Sequence, residues 1–487
     1  MDMPRSLLLV TTDCLRADHV GFLGYQRPTT PFLDAIAGES TAFCSAIVAG
    51  SPTYYSFPAI LASRYPLSLG RDVVGIAPQQ PTLGTLLKDQ GFATAAFIAG
   101  NPYLTPHFGY AQGFDVFKDF IREDPIPVAK GAAGNASHRL GRLNRTLEKI
   151  SRSMGPVGAL YNEAYFQYCE RWSGPKPESL AALRRFPSAD VIVSEAINWL
   201  TALGERNFFL WIHLMDPHAP YYPHEAALGL IGGSGVTPSR ARYLNNAWNR
   251  DDLSITRLER YRPEILRLYD AGVRWVDTQI GHLADVLRHS GRWENCLFAA
   301  TADHGEEFLD HMGRYHAPTR LTEELIRVPL LLRVPKARTK ALERGAFSLL
   351  HLAPTLLDAL SVPVPSCFQG TSLWTQLQRG ESWEEPAVVE CVKGCTNPFR
   401  FEDRLGPRIL AIRAARFKLV LRFDPPAEDL YDLEADPLEA RPLPPSSERE
   451  VRRYLLERAR AHLRASVASQ DPESRIRSRL RELQSIN

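Results

Sequence analysis

Cysteine is scarce in this chain: seven residues in 487, an odd number. That excludes a disulfide-stapled scaffold and fits the reduced thiols of a cytosolic protein. Cys391 and Cys395 stand four apart with no second pair nearby, which argues against a structural zinc site. No run of about 18 apolar residues occurs, so no membrane-spanning helix is expected. Net charge is equally thin. Lys and Arg number 57 against 55 Asp and Glu, leaving +2, which offers nucleic acid or an anionic membrane no particular attraction. Ser6 to Thr12 is apolar, but Asp13 follows at once with no small-residue cleavage site, so it reads as a strand and not a targeting signal. The cytoplasm is the expected compartment. What remains is ordinary globular composition, 44% hydrophobic and 23% charged, in a chain long enough for a large domain plus an appendage.

Two stretches share one design. Leu297 to Thr301 is a short apolar run, readable as a buried strand, and it ends in Ala302-Asp303-His304-Gly305. Side chains alternate along a strand, so neighbouring Asp303 and His304 can converge on one point only where the chain turns, and Gly305 permits that turn. The run Ser6 to Thr12 ends likewise in Asp13. Taken singly, Asp13 is as well placed to cap a following helix. Taken together, the two strand ends suggest a cation site of oxygen and nitrogen donors, at the carboxyl edge where open α/β sheets bind ligands. Two carboxylates and an imidazole suit Mn²⁺ or Zn²⁺ better than Ca²⁺ or Mg²⁺.

The spacing L-L-x-x-T-x-D-x-L-R-A-D-H over Leu7 to His19, with Gly24-Tyr25 and Thr30-Pro31-Phe32-Leu33-Asp34, resembles the opening of sulfatases in the alkaline phosphatase superfamily. The segment FLWIHLMDPHAPY (Phe209 to Tyr221), the pair Asp303-His304-Gly305-Glu306 and EELIRVP, and AIRAARFKL followed by Leu430-Tyr431-Asp432-Leu433 resemble later parts of that family, in the family's order. The resemblance implies an α/β fold: an alkaline-phosphatase-like central sheet flanked by helices, with a smaller C-terminal α+β subdomain. We expect a catalytic domain over 1–375, with a variable insertion at 116–185, an antiparallel-sheet subdomain over 376–445, and a helical tail over 446–487.

The departures from the family carry as much information. Formylglycine sulfatases bear a C-x-P-S-R segment whose Cys becomes the nucleophile. Counting back from Arg64-Tyr65-Pro66, that Cys falls on Thr53 and the Arg on Phe57. Relatives in the superfamily use a threonine, so Thr53 is the expected nucleophile and a ligand of the ion, with Ser56 next in line. Where many sulfatases hold the sulfate with lysine and histidine, this chain offers Gly100-Asn101-Pro102. Asn101 either donates to a substrate oxygen or closes a turn. By resemblance, His218 protonates the leaving oxygen, and His316 or Arg320, ahead of Glu323-Glu324, contacts the transferred group. His311 reads as a loop residue. Asp216 and His218 are two apart and do not form the i, i+4 pair of two-zinc phosphodiesterases, so one divalent ion is expected, held by Asp13, Thr53, Asp303 and His304.

The expected activity is metal-dependent hydrolysis of a sulfate or phosphate ester of a small molecule, glycan or lipid. The rivals are a phosphotransferase that passes the phospho group from threonine to an alcohol, and a non-catalytic binding protein on the same fold. Elsewhere, helices are expected at Leu140 to Met154, Ser188 to Leu200, Glu264 to His289 and Leu349 to Leu360. Strands are expected at Ala387 to Cys391, Ile409 to Ile412 and Phe417 to Arg422, with a turn at Asp424-Pro425-Pro426. Glu448 to Ser466 and Glu473 to Leu483 read as charged surface helices.

Overall fold

Every apolar run that ends in a candidate ligand folds as a strand of one sheet. The computed structural model describes residues 4–121, 156–172, 176–232, 235–335 and 345–467. Seven strands form the main sheet: β1 (Ser6–Thr12), β2 (Thr41–Ala42), β3 (Ala93–Ile98), β4 (Val116–Lys118), β5 (Phe208–Leu214), β6 (Cys296–Ala302) and β7 (Leu330–Arg333), in the order β2-β7-β6-β1-β5-β3-β4. The pairs from β6 to β4 are parallel, while β7 runs antiparallel to both β6 and β2. β1 lies at the centre, with Thr12 opposite Leu214 on one side and Ala302 on the other. That register brings the residues just beyond each strand to one level.

Both faces of the sheet are covered, which is why its strands are continuously apolar. Leu7 and Leu9 face a core shared with helices α1 (Thr53–Ala62), α2 (Leu83–Asp89) and the later α5 (Leu352–Ala359). Leu8 and Val10 face the other core, built with α3 (Ala189–Leu203) and α4 (Ile255–His289). Helix α4 starts well before the expected Glu264. The Ser254 hydroxyl accepts from Arg257 N at 3.3 Å, and Leu258 and Ile265 are buried on either side of Pro263. Capping and burial here offset the cost of an internal proline.

The C-terminal sheet comprises β8 (Ala387–Val392), β9 (Arg408–Arg413), β10 (Phe417–Phe423) and β11 (Pro426–Asp432), antiparallel in chain order. The chain turns at Asp424-Pro425 as expected, and β11 begins at Pro426, the first residue of an edge strand, where a missing N–H is tolerated. Helix α6 (Arg449–Val467) buries Leu455, Ala459 and Leu463 against Leu410, Ile412, Leu419 and Leu421 of this sheet. It is therefore a packed element, not a surface appendage. The expected helices at Leu140 to Met154 and Glu473 to Leu483 lie outside the described residues, as does much of the insertion. Of that insertion, Pro156–Trp172 is a helix, with Glu163 bound by Arg250 (2.8 Å) and Arg257 (2.6 Å).

Two buried charge groups tie the subdomain to the main sheet. Glu390 on β8 accepts from Leu67 N at 2.9 Å and meets His462 Nε2 of α6 at 3.0 Å and Arg408 at 3.6 Å. Lys418 on β10, fully buried, binds Glu323, Glu439 and the Leu321 carbonyl.

Candidate active site

Three neighbouring strand ends supply the floor of the site. Asp13 follows β1, Asp303 and His304 follow β6, and His213 is the last but one residue of β5; all four are wholly buried. Ligand atoms of Asp13, His213 and Asp303 lie within 4.8 Å of one another. His304 Nδ1 is 2.8 Å from the Gly305 carbonyl, which can only accept, so Nδ1 carries the hydrogen. The lone pair is thereby left on Nε2, 3.6 Å from Asp13 Oδ1 and 3.5 Å from Asp303 Oδ2. Gly305 does not take a left-handed conformation, contrary to the turn expected there. It is required by space: a Cβ would stand 1.9 Å from the Glu324 carbonyl oxygen.

Helix α1 delivers Thr53 from the opposite side. Thr53 is its first residue, 4% exposed, with Oγ1 3.1 Å from His304 Nε2. Ser56, one turn on, is fully buried and its hydroxyl has no hydrogen-bond partner. Phe57, where the family places arginine, sets its ring edge-on to His213 at 5.2 Å.

The electrostatics favour a cation between the strand ends. Burial pushes the Asp13 carboxyl up, but His218, His213 and His304 outweigh it and hold Asp13 well below the usual range. Burial and the Asp13 charge raise the Asp303 carboxyl, against His304, His213 and Thr53. Two carboxylates this close cannot both stay ionised cheaply without a positive charge. Asp303 Oδ2 is also buried with no hydrogen-bond partner among the described residues. The strand ends thus offer carboxylate oxygens, one of them orphaned among the described residues, beside imidazole nitrogens, a donor set that suits a divalent cation.

The remaining expected residues divide. Asn101 both donates to Asp13 Oδ2 at 2.9 Å and accepts from Tyr103 N at 2.9 Å, so it closes the turn while bracing a carboxylate. His218 and His316, partly buried, lie with ring centroids 5.0 Å apart, and His316 is 4.6 Å from His304. Asp216 turns away, accepting from Ala189 N at 3.0 Å at the start of α3. Arg320 is exposed and donates to the His311 carbonyl. His311 pairs with Glu324 at 3.1 Å, and Glu324 with burial sets its imidazole: the carboxylate contact raises it.

Three neighbours were not singled out from the sequence. His213 Nε2 lies 3.3 Å from Asp13 Oδ2. A lone histidine in the otherwise apolar run FFLWIHL is the signal that marks it. Cys14, in a left-handed backbone conformation (φ 60°), has Sγ 3.0 Å from Asp13 Oδ1. Glu306 is fully buried beside His316. Glu306 closes the Asp303-His304-Gly305-Glu306 motif without a role read for it, and Cys14 carries no sequence signal beyond standing next to Asp13.

Comparison with known proteins places the chain in a family. The family model described as Sulfatase matches residues 5–362, and that described as "N-sulphoglucosamine sulphohydrolase, C-terminal" matches residues 314–462. An N-acetylglucosamine-6-O-sulfatase of Bacteroides thetaiotaomicron is 33% identical over 182 residues, 36% of this chain and 31% of that protein, so the match spans about a third of it. An arylsulfatase of Clostridium perfringens is 23% identical over 402 residues, 79% of this chain and 80% of that protein. Among solved structures, the phosphonate monoester hydrolase of Agrobacterium radiobacter superposes with a TM-score of 0.63 at 19% identity, covering 96% of each chain.

Proposed function

This chain belongs to the sulfatase family, and on that premise we propose that it hydrolyses a sulfate or phosphate ester with Thr53 as nucleophile and one divalent cation held by Asp13, Asp303, His304 and Thr53. The observation that carries the reading is the Thr53 hydroxyl, 3.1 Å from His304 Nε2 and at the first position of a ten-residue helix. The amides at a helix N-terminus favour an anion, so the transferred group meets positive potential beside its attacker. When bound, the cation stabilises the Thr53 alkoxide and offsets charge on a non-bridging oxygen. Its identity is open among Mn²⁺, Zn²⁺, Ca²⁺ and Mg²⁺, with the imidazole favouring the first two.

The chain's own side chains supply the rest. Thr53 Oγ forms a bond to sulfur or phosphorus as the bond to the leaving alcohol breaks. The proton that this oxygen takes is assigned to His218 or His316, the partly accessible members of the cluster. Water then attacks the same sulfur or phosphorus and frees Thr53. Asn101 holds Asp13 in place throughout.

The test is a panel of 4-nitrophenyl sulfate, phosphate, phosphodiester and phosphonate, with 6-sulfated N-acetylglucosamine added because a relative's name suggests it. Each is run with each of the four cations, and with and without an alcohol acceptor to separate transfer from hydrolysis. Thr53→Ala should abolish turnover with the fold intact, and Thr53→Ser should retain part of it. Full activity of Thr53→Ala on the best substrate would remove Thr53 from the mechanism and pass the role to Ser56.

A further inference from the structure

Glu306 is a buried charge next to this site with no task in the scheme above. It follows the Asp303-His304-Gly305 turn, is wholly buried, and its Oε2 has no hydrogen-bond partner among the described residues. A carboxylate removed from water is costly unless it is paired. Its Oε1 lies 3.2 Å from His316 Nδ1. The same nitrogen is 3.4 Å from Cys14 Sγ, but that thiol is closer to Asp13 Oδ1, at 3.0 Å. A thiol is a weak donor and acceptor, so Glu306 is the strong partner of Nδ1.

We propose that Glu306 is a positioning residue, which holds His316 in the tautomer with hydrogen on Nδ1 and so presents Nε2 to the oxygen leaving the substrate. The Cys14 thiol gives its hydrogen to Asp13 Oδ1, so towards Nδ1 its sulfur can only accept, and a hydrogen on Nδ1 serves both it and the Glu306 carboxyl oxygen. The second half of the proposal rests on the hydrolase reading. As the bond from sulfur or phosphorus to the alcohol oxygen breaks, the Nε2–H bond of the protonated ring breaks too. The proton becomes the O–H of the departing alcohol. The ring remains as the neutral Nδ1–H form, the form that Glu306 already holds, so neither ring rotation nor a second proton shift is needed. The His316 side chain is 22% exposed while the Glu306 side chain is 0% exposed, so one member of the pair meets substrate and the other stays behind it.

The experiment uses the full chain labelled with ¹⁵N in the histidine rings, at about pH 8, where an ordinary imidazole is neutral. The His316 signal is assigned by its loss in His316→Gln. The parent should show the Nδ1–H pattern. Glu306→Leu, or Glu306→Ala should the leucine variant not fold, should shift it towards Nε2–H, while Glu306→Gln, whose amide oxygen still accepts, should keep it. Metal content is measured for each. In turnover, Glu306→Leu should fall about 100-fold on an alkyl ester, which needs its leaving oxygen protonated. On a 4-nitrophenyl ester, which does not, it should stay within about threefold. An unchanged tautomer in Glu306→Leu, or an equal loss on both esters, overturns the proposal. A parent that cleaves no ester sinks the hydrolase reading instead, and the ring signal still decides the role of Glu306.

Discussion

Replacing Glu390 with glutamine tests how the subdomain holds the segment that leads to Thr53. Burial raises the Glu390 carboxyl, but Arg408, His462 and the Leu67 amide outweigh it and hold it down at about 2. Against about 4.3 in an unfolded chain, and at about 1.36 kcal/mol per pH unit, the folded protein favours the ionised form by about 3 kcal/mol. That sits at the lower edge of the roughly 3–5 kcal/mol lost when one partner of a buried pair is removed. Gln keeps the size and one acceptor but not the charge. Local opening should then cost about 3 kcal/mol less, and amides of β8 and β9 should exchange about 150-fold faster than in the parent at about pH 7. Because the folded pKa is depressed, the stabilisation is present above about pH 4.3 and lost as pH falls towards 2. At about pH 3 the parent retains about 1.4 kcal/mol of it, and the ratio should shrink to about tenfold. Hydrogen exchange read by mass spectrometry, variant against parent at each pH, gives both ratios. A ratio under about threefold near neutrality, or one unchanged at the acid pH, would refute the reasoning. The Glu390 amide also donates to the Ala49 carbonyl at 3.0 Å, four residues before Thr53, so peptides covering 49–56 should loosen in step.

Other perturbations follow from the same geometry. Asp13→Asn and Asp303→Asn should each weaken metal binding by at least about tenfold, read by elemental analysis after dialysis against a chelator; full occupancy in both would remove the proposed cradle. Gly305→Ala puts a methyl 1.9 Å from a backbone oxygen, which cannot swing aside. It should cost roughly 3 kcal/mol and much of the metal affinity, and a variant with unchanged melting and metal content would show that the strand end can give. Lys418→Met leaves Glu323 and Glu439 buried without their shared amine. A loss of about 3–5 kcal/mol is expected, seen as a melting point several degrees lower at neutral pH; a neutral or stabilising result would mean that the carboxylates take up protons at little cost.

The parts of this molecule that could be read from sequence are those where one residue's surroundings are set by its own strand. Ser6–Thr12 is bounded to the residue because its apolar run is buried on both faces and stops at a charged neighbour. Asp13, Asp303 and His304 were paired because each ends such a run. Thr53 needed the resemblance, since nothing in TYYSFPAILA distinguishes its hydroxyl from that of Ser56. His213 lies five residues before His218, inside the apolar part of FLWIHLMDPHAPY, where a lone histidine reads as a core residue. Strand alternation alone would have set the His213 ring against the carboxylates. Gly305 was read for torsional freedom, when its role is to let the Glu324 backbone pass. Close approach between segments 19 residues apart leaves no local trace. Glu390 and Lys418 were illegible for the same reason: their partners lie in distant segments.

β1 lies at the middle of the sheet, yet its two neighbours are encoded about 200 and 290 residues further along. A ribosome adding roughly 5–20 residues per second leaves that apolar strand without either partner for about 10–40 seconds, and without the second for longer still. Nor can the cation pocket close until residue 304 has emerged. A nascent chain arrested at residue 290 would hold Asp13 and Thr53 but lack Asp303 and His304, half of the proposed cradle. Biogenesis of this enzyme therefore depends on whatever shields one seven-residue strand during synthesis, and its yield should respond to translation speed and chaperone supply before it responds to metal.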